Sequence, residues 1–507
     1  MDNWVLGFQS LSMMALIWVV IGTAIGIFIG AMPGLNATAG LALVLPFTFS
    51  MEPAEGLILL TAVYVGAEYG GSISAILIAT PGTPAAVATV FDGYPLTRQG
   101  KAGKAIGMSL YAGTVGMIIC SITLVLIAVP LSKVALSFGP PEFLALGILG
   151  LTLVASLSTG AVLKGVLGCL IGLLLATVGT DTFTGFSRFD FGVTDLRGGM
   201  PLVPLMLGVF AISEALVMLG AGAHSVTART DTAAARELPN RKEVRASVPA
   251  MLRGSVIGNV VGVVPGAGAA IASLIAYNEE RRFSRTPERF GTGHLPGVAA
   301  PEAANNAVVG GALVPLLTLG LPGSASTAVM LSVLMIHGIN PGPELFTDNA
   351  EVVYALFVAL PLITLAQLLL GLLLGVRVWT QVLRVPRLLL ASIIIALCVV
   401  ASYAEGNVLS NVWVVVLSGL IAYVLRRNGF PLAPIVLGLV LGFMMESNLR
   451  RGLLMSQGDP MIFLSSPVAI AMLALSAVSL VVPLWRYLRS LGRAAPREEE
   501  PADHLAE

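Results

Sequence analysis

The sequence predicts an all-α polytopic membrane protein, and three observations support this fold class. Only 11% of the 507 residues are charged and 56% are apolar, whereas an ordinary soluble domain has about 25% charged residues. Many uncharged stretches reach the roughly 20 residues that a helix needs to cross a bilayer. Their periodicity is helical and lacks the ten-residue alternation of an outer-membrane barrel. So little charge cannot cover a water-exposed surface, which excludes a soluble enzyme, a nucleic-acid-binding protein and a disordered scaffold.

The uncharged stretches predict about 10–13 membrane-embedded helices and re-entrant hairpins at this span length. They are residues 3–51, 69–91, 105–132, 143–163, 254–278, 303–343, 352–376, 406–425, 428–445 and 460–485. Three cysteines, Cys120, Cys169 and Cys398, also lie in apolar stretches. Because their spacing fits neither a metal site nor a redox motif, we expect them to be packing residues.

Basic residues are concentrated in a few segments, and this predicts the orientation of the chain. The segments are 98–104, 229–253, 281–289, 377–387, 426–427 and 486–497. By the positive-inside rule, they and the C-terminus face the cytoplasm. Arg450 and Arg451 do not fit, because an even number of spans would place them outside.

The two halves of the chain share glycine and proline positions, which predicts an internal duplication. Five positions of GTAIGIFIGAMPG recur in GSVIGNVVGVVPG at a constant offset of 232 residues, and a second motif at 70–83 recurs at 310–324 with offsets of 240–241. Basic residues flank the segment GSVIGNVVGVVPG of the second half but not its counterpart GTAIGIFIGAMPG in the first half. We therefore expect the two repeats to have opposite orientations in the membrane. The expected domains are a first transmembrane repeat (1–222), a cytoplasmic linker (223–248), a second transmembrane repeat (249–450), a C-terminal transmembrane helix region (451–488) and a charged cytoplasmic tail (489–507).

Pro-Gly pairs interrupt both repeats, at 33–34, 81–82, 265–266 and 322–323. The helix that starts after such a break carries roughly +0.5 charge equivalent at its N-terminus. Bilayers tolerate a broken helix only beside protein or a water-filled cavity. Two related breaks therefore predict a mid-membrane anion site without Lys or Arg. The candidate substrate-binding residues are the glycines and polar residues at the breaks: Gly34, Asn36, Thr38, Thr80, Gly82, Thr83, Gly266, Gly268, Gly323, Ser324, Ser326 and Thr327. The polar residues among them could bind a carboxylate through hydroxyl and amide donors, or a cation through side-chain and backbone oxygens.

Each of these features also has a purely structural interpretation. Glycine at every fourth position is typical of close helix packing, and we favour that interpretation for the Gly-x3-Gly ladders. A Pro-Gly pair can be a kink filled by a neighbouring helix. Hydroxyl groups in membrane helices usually donate to a carbonyl of their own helix.

Four residues are candidates for ion coupling. Glu68 lies in an otherwise apolar stretch, where a carboxylate is costly and functional by default; alternatively, it accepts hydrogen bonds from backbone amides. Glu302, Asn305 and Asn306 begin the second broken region, where they could instead cap a helix N-terminus. A sodium ion is the one candidate metal, and no other cofactor is expected. For two other residues the structural interpretation is favoured: Asp92 caps a loop, and His337 is a satisfied histidine at the membrane edge.

Three long motifs resemble the large membrane subunit of the tripartite tricarboxylate transporters. They are GAMPGLNATAGLALVLPFTF (30–49), YVGAEYGGSISAILIATPGTPAAVATVFDGYPLTRQGKAGKAIG (64–107) and YNEERRFSRTPERFGTGHLPGVAAPEAANNAVVGGALVPLLTLGLPGSASTAVM (277–330). The resemblance covers essentially the whole chain. The chain departs from it at Ala79, where the family commonly has Asn, and at Pro296, where it commonly has Glu. Ala79 puts a strictly citrate-like substrate in doubt.

The resemblance implies a secondary transporter of the bacterial inner membrane rather than an enzyme. Such a transporter imports small tricarboxylates or dicarboxylates, driven by a sodium or proton gradient. The implied partners are a periplasmic substrate-binding protein and a small four-helix membrane subunit within the lipid bilayer, with no nucleic acid. Consistent with this, the sequence has no P-loop motif for direct use of ATP.

Two alternatives remain open. One is a stand-alone carboxylate or ion transporter or exporter that needs no binding protein. The other is an intramembrane enzyme, which would need a nucleophile and a base within reach. The sequence contains neither GxSxG nor HExxH, so the enzyme is a remote alternative.

Overall fold

The computed structural model describes residues 2–157, 162–220, 237–382 and 385–492, and its regular structure is almost entirely α-helical. The helices are α1 (Asp2–Gln9), α2 (Met13–Ala31), α3 (Ala37–Val44), α4 (Pro53–Ile78), α5 (Val87–Arg98), α6 (Ala102–Ala135), α7 (Pro140–Ser156), α8 (Val162–Ala176), α9 (Leu202–Met206), α10 (Ser213–Gly220), α11 (Arg241–Val263), α12 (Gly268–Phe283), α13 (Leu295–Leu319), α14 (Ala325–Ile336), α15 (Leu345–Asp348), α16 (Ala350–Val382), α17 (Arg387–Ala404), α18 (Leu409–Arg427), α19 (Ala433–Met455) and α20 (Pro467–Gly492). Strands β1 (Gly179–Thr180) and β2 (Ser187–Arg188) form an antiparallel hairpin between α8 and α9.

Ten helices within these ranges are long and apolar enough to cross a membrane, counting α9, the π-helical segment Leu207–Ile212 and α10 as one. Four further apolar helices are shorter: Ala37–Ser50, Pro140–Ser156, Val162–Ala176 and Ala325–Ile336. The predicted all-α polytopic membrane fold is therefore confirmed. Cys120, Cys169 and Cys398 are all buried and unpaired in a disulfide, as the packing interpretation requires.

Capping and proline chemistry determine where the key helices begin and end. α2 begins after Ser12, whose Oγ accepts a hydrogen bond from the amide of Ala15 at 2.9 Å, and it ends shortly before Pro33, which has no amide hydrogen to continue the helix. α4 ends where Ala79 adopts a left-handed φ of 54°, and α13 ends at Gly320 with a φ of 69°. Both of these residues with a left-handed backbone lie just before a Pro-Gly pair.

The glycine ladders pack helices against each other, as favoured above. Glycines of α2 lie against backbone carbonyls of α4, and glycines of α11 lie against backbone carbonyls of α13 in the same pattern. Since a Cβ atom at these positions would overlap the facing carbonyl, only glycine permits the approach. The matching contacts are Gly22–Leu59, Gly26–Val63 and Gly30–Ala67 in the first half, and Gly254–Ala300, Gly258–Ala304 and Gly262–Val308 in the second.

These contacts recur at two constant offsets, 232 residues for α2 and α11 and 241 residues for α4 and α13. The two halves thus share helix packing as well as sequence motifs. Their inverted orientation relative to the membrane stays a prediction.

The predicted domain boundaries do not all coincide with helix ends. Residues 223–236 of the linker lie outside the described residues, and its last residues belong to α11, which begins at Arg241 after the capping residue Asn240. The boundary predicted at 450/451 falls inside α19 rather than at a helix end, and the extent of the second repeat stays a prediction. Residues 493–507 of the tail lie outside the described part of the chain.

Four helices, α7, α8, α19 and α20, pack mainly on one another, and we call them the peripheral quartet. They have a small apolar core of their own, while Val154 of α7, Ala176 of α8 and Val436 of α19 are buried in the large core. Its buried residues include Leu146, Leu151, Cys169 and Leu441. Leu321, from the segment after α13, is buried in the same small core and links the quartet to the broken helices.

Candidate functional site

The four Pro-Gly segments interrupt helices in equivalent places of the two halves. Break 1 is residues 32–36, between α2 and α3; break 2 is 79–83, between α4 and the turn before α5; break 3 is 264–267, between α11 and α12; and break 4 is 320–324, between α13 and α14. The Gly82 amide of break 2 donates to the Gly71 carbonyl at 3.1 Å, and the Gly266 amide of break 3 donates to Gly323 of break 4 at 2.9 Å. The breaks are thus held by backbone hydrogen bonds.

The helices that follow break 1 and break 4 meet each other across the two halves. The hydroxyl oxygens of Thr38 on α3 and Ser326 on α14 lie 2.9 Å apart. The Tyr64 hydroxyl of α4 lies beside Ser324 and Ser326. Two helix N-termini therefore converge with the hydroxyl groups of Thr38, Ser326 and Tyr64, and the anion site expected from the breaks stays a prediction.

Several of the candidate substrate-binding side chains already cap these helices. Asn36 Oδ1 accepts from the amide of Ala39 at 2.8 Å. Ser324 Oγ accepts from the amide of Thr327 at 3.2 Å, while Thr327 Oγ1 accepts from the amide of Ser324 at 2.8 Å. The structural interpretation thus applies to these three residues, and Thr38 and Ser326 are the hydroxyls that face the junction.

The glycines at breaks 1 and 3 have left-handed backbones. The φ angles are 101° at Gly34, 82° at Gly266 and 67° at Gly268, a region that other residues rarely adopt. A Cβ atom at Gly34 would make only an ordinary contact with Met218, and one at Gly268 would meet nothing within 4 Å, whereas a Cβ atom at Gly266 would run into Val154 of α7. Gly34 and Gly268 therefore offer accessible backbone, and Gly266 is a packing position.

Three buried oxygen atoms near break 2 have no hydrogen-bond partner among the described residues. They are Glu68 Oε2, Thr83 Oγ1 and Asn305 Oδ1. Thr83 lies beside the Glu68 carboxylate, and Asn305 Nδ2 donates to the backbone carbonyl of Glu68 at 3.0 Å. Buried polar atoms are normally paired, so a group of unpaired acceptors is a candidate cation site.

Glu302, in contrast, has partners for both carboxylate oxygens. Thr89 Oγ1 donates to Oε1, and Ser109 Oγ donates to Oε2 at 3.1 Å. Ser72 Oγ lies 2.6 Å from Ser109 Oγ and extends the network to α4. Because Glu302 lies well inside α13, the alternative that it caps a helix N-terminus is wrong. It joins α4, α5, α6 and α13 in the core.

Asn306 belongs to the same filled network as Glu302. Its Nδ2 donates to the Glu302 carbonyl at 3.1 Å, and its Oδ1 accepts from Gln367 Nε2 at 3.3 Å. The structure therefore separates the four ion-coupling candidates. Glu68 has an unpaired oxygen, whereas Glu302 and Asn306 lie in a hydrogen-bonded core. The Asn305 side chain links the two groups, since it donates to the Glu68 carbonyl and lies beside the Glu302 carboxylate.

Comparison with known proteins identifies the family of this chain. The sequence profile of the tripartite tricarboxylate transporter TctA family matches residues 16–437. The chain belongs to the TctA family. The chain is also 34% identical over 495 residues, 96% of its length and 97% of the relative's, to an uncharacterized 52.8 kDa protein in the TAR-I ttuC' 3' region of Agrobacterium vitis.

A second relative, an uncharacterized protein in the TAR-II ttuC' 3' region of the same organism, is 34% identical over 233 residues. The match covers 46% of this chain and 96% of the relative. No solved structure matches the chain. Membership of the TctA family makes this protein the large membrane subunit of a tripartite tricarboxylate transporter.

In this TctA-family protein, Asp92 caps a loop of the opposite half, as its structural interpretation predicted. Its fully buried carboxylate accepts from the amides of Gly291, Gly293 and His294 at 2.7–3.0 Å, and from the Tyr277 hydroxyl at 2.9 Å. His337 Nε2 likewise lies 3.2 Å from the carbonyl of Thr48. Both residues tie a helix of one half to a loop of the other.

Sequence reasoning missed the hydroxyl groups that surround the two carboxylates. Tyr64 lies one helical turn before Glu68 on α4, so helical spacing could have placed it near the site. Thr89 and Ser109 carry no such signal, because hydroxyl residues are common in membrane helices and these two are distant in sequence from Glu302. Thr80 and Gly82 lie in break 2, where Thr80 Oγ1 donates only to the nearby carbonyl of Ile78 at 3.3 Å.

Proposed function

We propose that this protein is the permease subunit of a binding-protein-dependent secondary transporter. It imports small carboxylates across the bacterial inner membrane as a symporter, with its C-terminus in the cytoplasm. The observation that carries this proposal is the position of the unpaired oxygens of Glu68, Thr83 and Asn305 beside broken helices whose N-termini converge. A cation site and an anion site at adjacent helix breaks are what coupled transport of a carboxylate requires.

The carboxylate binds where α3 and α14 begin. The amide groups at these helix N-termini favour an anion, and the hydroxyls of Thr38 and Ser326 supply donors. The cap bonds of Asn36 and Ser324 orient the first turns of both helices. Because the donors are amides and hydroxyls, the site accepts a carboxylate without a permanent positive charge, and release on the other side costs less.

The coupling cation binds to Glu68, Thr83 and Asn305. Carboxylate, hydroxyl and amide oxygens are hard ligands that suit a sodium ion. A proton would need only one of these oxygens, whereas the Thr83 hydroxyl lies beside the Glu68 carboxylate and the Asn305 side chain is bonded to the Glu68 backbone. We therefore assign the site to sodium.

The two sites are joined by one turn of α4. Tyr64 lies beside the serines of break 4, and Glu68 follows four residues later, about 6 Å along the helix. A cation at Glu68 cancels a buried charge that would otherwise be unfavourable in the membrane and would repel an incoming carboxylate. Each ligand thus favours binding of the other, which is the thermodynamic basis of symport.

Membership of the TctA family suggests the partners of this protein. A periplasmic substrate-binding protein delivers the carboxylate, and a small four-helix membrane subunit completes the complex. The rival is a stand-alone transporter or exporter. An intramembrane enzyme stays the remote alternative, since membership of a transporter family favours transport.

Uptake in proteoliposomes tests the proposal. The complex is reconstituted and supplied with its binding protein and a radiolabelled dicarboxylate, with an inward sodium gradient or none. We expect accumulation that requires both the gradient and the binding protein. Accumulation without the binding protein supports the stand-alone rival, and flux that ignores sodium and proton gradients contradicts coupled transport.

A further inference from the structure

The β1–β2 hairpin and the segment after it expose an unusual set of aromatic side chains. Phe186 is 75% exposed and Phe191 is 81% exposed, with Phe183 and Phe189 also exposed nearby. Polar and charged residues separate these four in the sequence DTFTGFSRFDFG. Isolated exposed apolar side chains need no explanation, but four phenylalanines on one short connection mark an interaction surface.

The exposed phenylalanines are held in place rather than on a loose loop. Asp190 accepts from Ser187 Oγ at 2.7 Å, from the amide of Gly192 at 3.2 Å and from Arg197 Nε at 3.3 Å. On either side of it, Phe189 and Phe191 have φ angles of 50° and 48°. Non-glycine residues rarely adopt this left-handed region, and such positions persist where the surroundings fix them for a function.

Behind the aromatic side chains, the hairpin is clamped to α19 by two basic and two acidic groups. Arg188 Nη1 lies 2.6 Å from Glu446 Oε1, and Arg450 Nη2 lies 2.7 Å from Asp181 Oδ2 and 3.0 Å from Glu446 Oε1. The ring of Phe183 lies 5.5 Å from the Arg450 guanidinium. The four charges cancel, so the clamp suits a low-dielectric setting, and it accounts for Arg450, which does not fit the positive-inside pattern.

Helix lengths place the hairpin at the level of a bilayer surface. α8 begins beside the loop after Arg426 and Arg427, where Lys164 Nζ donates to the carbonyl of Asn428 at 2.6 Å; the positive-inside rule predicts this end to be cytoplasmic. With 15 residues, α8 rises about 22 Å, which is short of a hydrocarbon core of roughly 30 Å. The hairpin that follows therefore lies within the outer boundary of the core.

The length of α19 independently places the hairpin at the same depth in the bilayer. It runs parallel to α8, because Gly168 lies against Pro434, Gly172 against Gly438 and Ala176 against Gly442. From its start at Ala433, about 20 Å of helix leads to Glu446 and about 26 Å to Arg450. The clamp thus lies near the outer edge of the hydrocarbon region, where an aromatic side chain contacts lipid.

We propose that the β1–β2 hairpin is a lipid anchor, in which Phe186, Phe189 and Phe191 insert into the outer leaflet at the boundary of acyl chains and headgroups. The anchor completes the short span of α8 and fixes the peripheral quartet in the bilayer. Its occupant is phospholipid, because helix length puts the phenylalanines at bilayer depth and the neutral clamp presents no net charge to a protein partner.

Site-directed spin labelling tests the lipid anchor in the full-length protein. Nitroxide is attached at Phe186→Cys and Phe191→Cys in a background without Cys120, Cys169 and Cys398, with Asp195→Cys as the matched control on the exposed segment beyond. The proteins are reconstituted in phosphatidylcholine and phosphatidylglycerol vesicles. Collision rates with oxygen, which concentrates in lipid, and with a water-soluble nickel chelate are then compared.

We expect the oxygen-to-nickel ratio at positions 186 and 191 to exceed that at position 195 several-fold. A ratio equal to that at position 195 would show a water-facing hairpin, and low collision with both reagents would show that protein covers it; either result overturns the anchor. If the cysteine-depleted background fails to fold, Phe186→Trp in the native background replaces it. Quenching of the added fluorescence by lipids brominated near the headgroup is then expected, and its absence overturns the proposal. Neither readout depends on transport activity.

Discussion

Thr38 and Ser326 belong to opposite halves of the protein, yet their hydroxyl oxygens lie 2.9 Å apart. Each follows a Pro-Gly break, and each lies in the first turn of its helix. The contact brings the positive ends of two half-helices to one point without a basic side chain. This junction is the basis for the proposed carboxylate site and for the first prediction.

Removing either hydroxyl should weaken carboxylate binding. A hydrogen bond to a charged group contributes about 1.5–3 kcal/mol, so Thr38→Val and Ser326→Ala should each raise the KM for carboxylate about 10- to 100-fold with little change in sodium dependence. Transport kinetics in proteoliposomes measure this effect. Thr61→Val is the matched control, since the Thr61 hydroxyl is buried and donates to its own helix at Leu57. An unchanged KM in both variants would mean that the junction only packs helices.

The two buried glutamates should respond differently to neutralisation. Glu68→Gln removes the charge from the unpaired oxygens, so sodium should no longer raise the thermal unfolding temperature of the purified protein. Glu302→Gln disturbs a filled network of hydroxyl partners and should lower that temperature in all salts. Thermal unfolding in sodium and in choline chloride separates the two effects. A sodium-dependent shift that survives Glu68→Gln would place the cation elsewhere.

Valine substitutions at the glycines of break 1 and of the glycine ladder should have different effects on transport and assembly. Gly34 has a left-handed φ, and an added Cβ atom would make only an ordinary contact with Met218, so Gly34→Val should leave the protein in the membrane but strongly reduce transport. Gly266→Val should behave similarly in transport, with an added loss of stability because the new side chain meets Val154. As the control, Gly30→Val should prevent assembly, since Gly30 lies against the Ala67 carbonyl. Size-exclusion profiles and uptake assays distinguish these outcomes, and normal uptake by Gly34→Val would exclude a backbone role.

Asp92 should hold the loop before α13 in place. Asp92→Ala removes the acceptor for three backbone amides, so hydrogen exchange at Gly291, Gly293 and His294 should accelerate by about 10-fold or more. Mass-spectrometric exchange on the reconstituted protein measures it. The helical turn that contains Thr48, which contacts His337 instead, provides an internal reference. Unchanged exchange at 291–294 would show that other contacts hold the loop.

Glu405, in the loop between α17 and α18, predicts a pH dependence of stability. Its Oε2 atom has no partner among the described residues, and burial raises the pKa of this carboxyl from 4.5 to about 7. The fold therefore binds the proton more tightly than the unfolded chain, and stability falls as pH rises from about 4.5 to about 7, then levels off. Glu405→Gln should remove this fall in thermal unfolding measured across that range. An identical pH profile in the variant would contradict it.

Much of the fold could be predicted from the sequence because it depends on local composition and spacing. The shared offsets of Gly22, Gly26 and Gly30 with Gly254, Gly258 and Gly262 predicted the duplication, and the structure repeats their contacts. The ends of the helices were harder to predict from the sequence. Apolar stretches do not show that a helix such as α11 continues into the polar residues near Arg241.

The site could be predicted only in part, because its polar partners come from distant helices. Glu68 and Glu302 were equal candidates by composition, and they differ only in what surrounds them. Thr89 and Ser109 occupy the oxygens of Glu302 from positions 213 and 193 residues away. No local pattern specifies such pairs, since side-chain contacts across a helix bundle depend on the whole packing arrangement.

Sodium movement driven by carboxylate tests the coupled-transport account most directly. Proteoliposomes that contain the complex and its binding protein are given an inward carboxylate gradient, and entry of radioactive sodium is measured without a sodium gradient. We expect sodium to accumulate in the wild type and not in Glu68→Gln. Carboxylate entry without any accompanying sodium movement in the wild type would contradict the assignment of the coupling site.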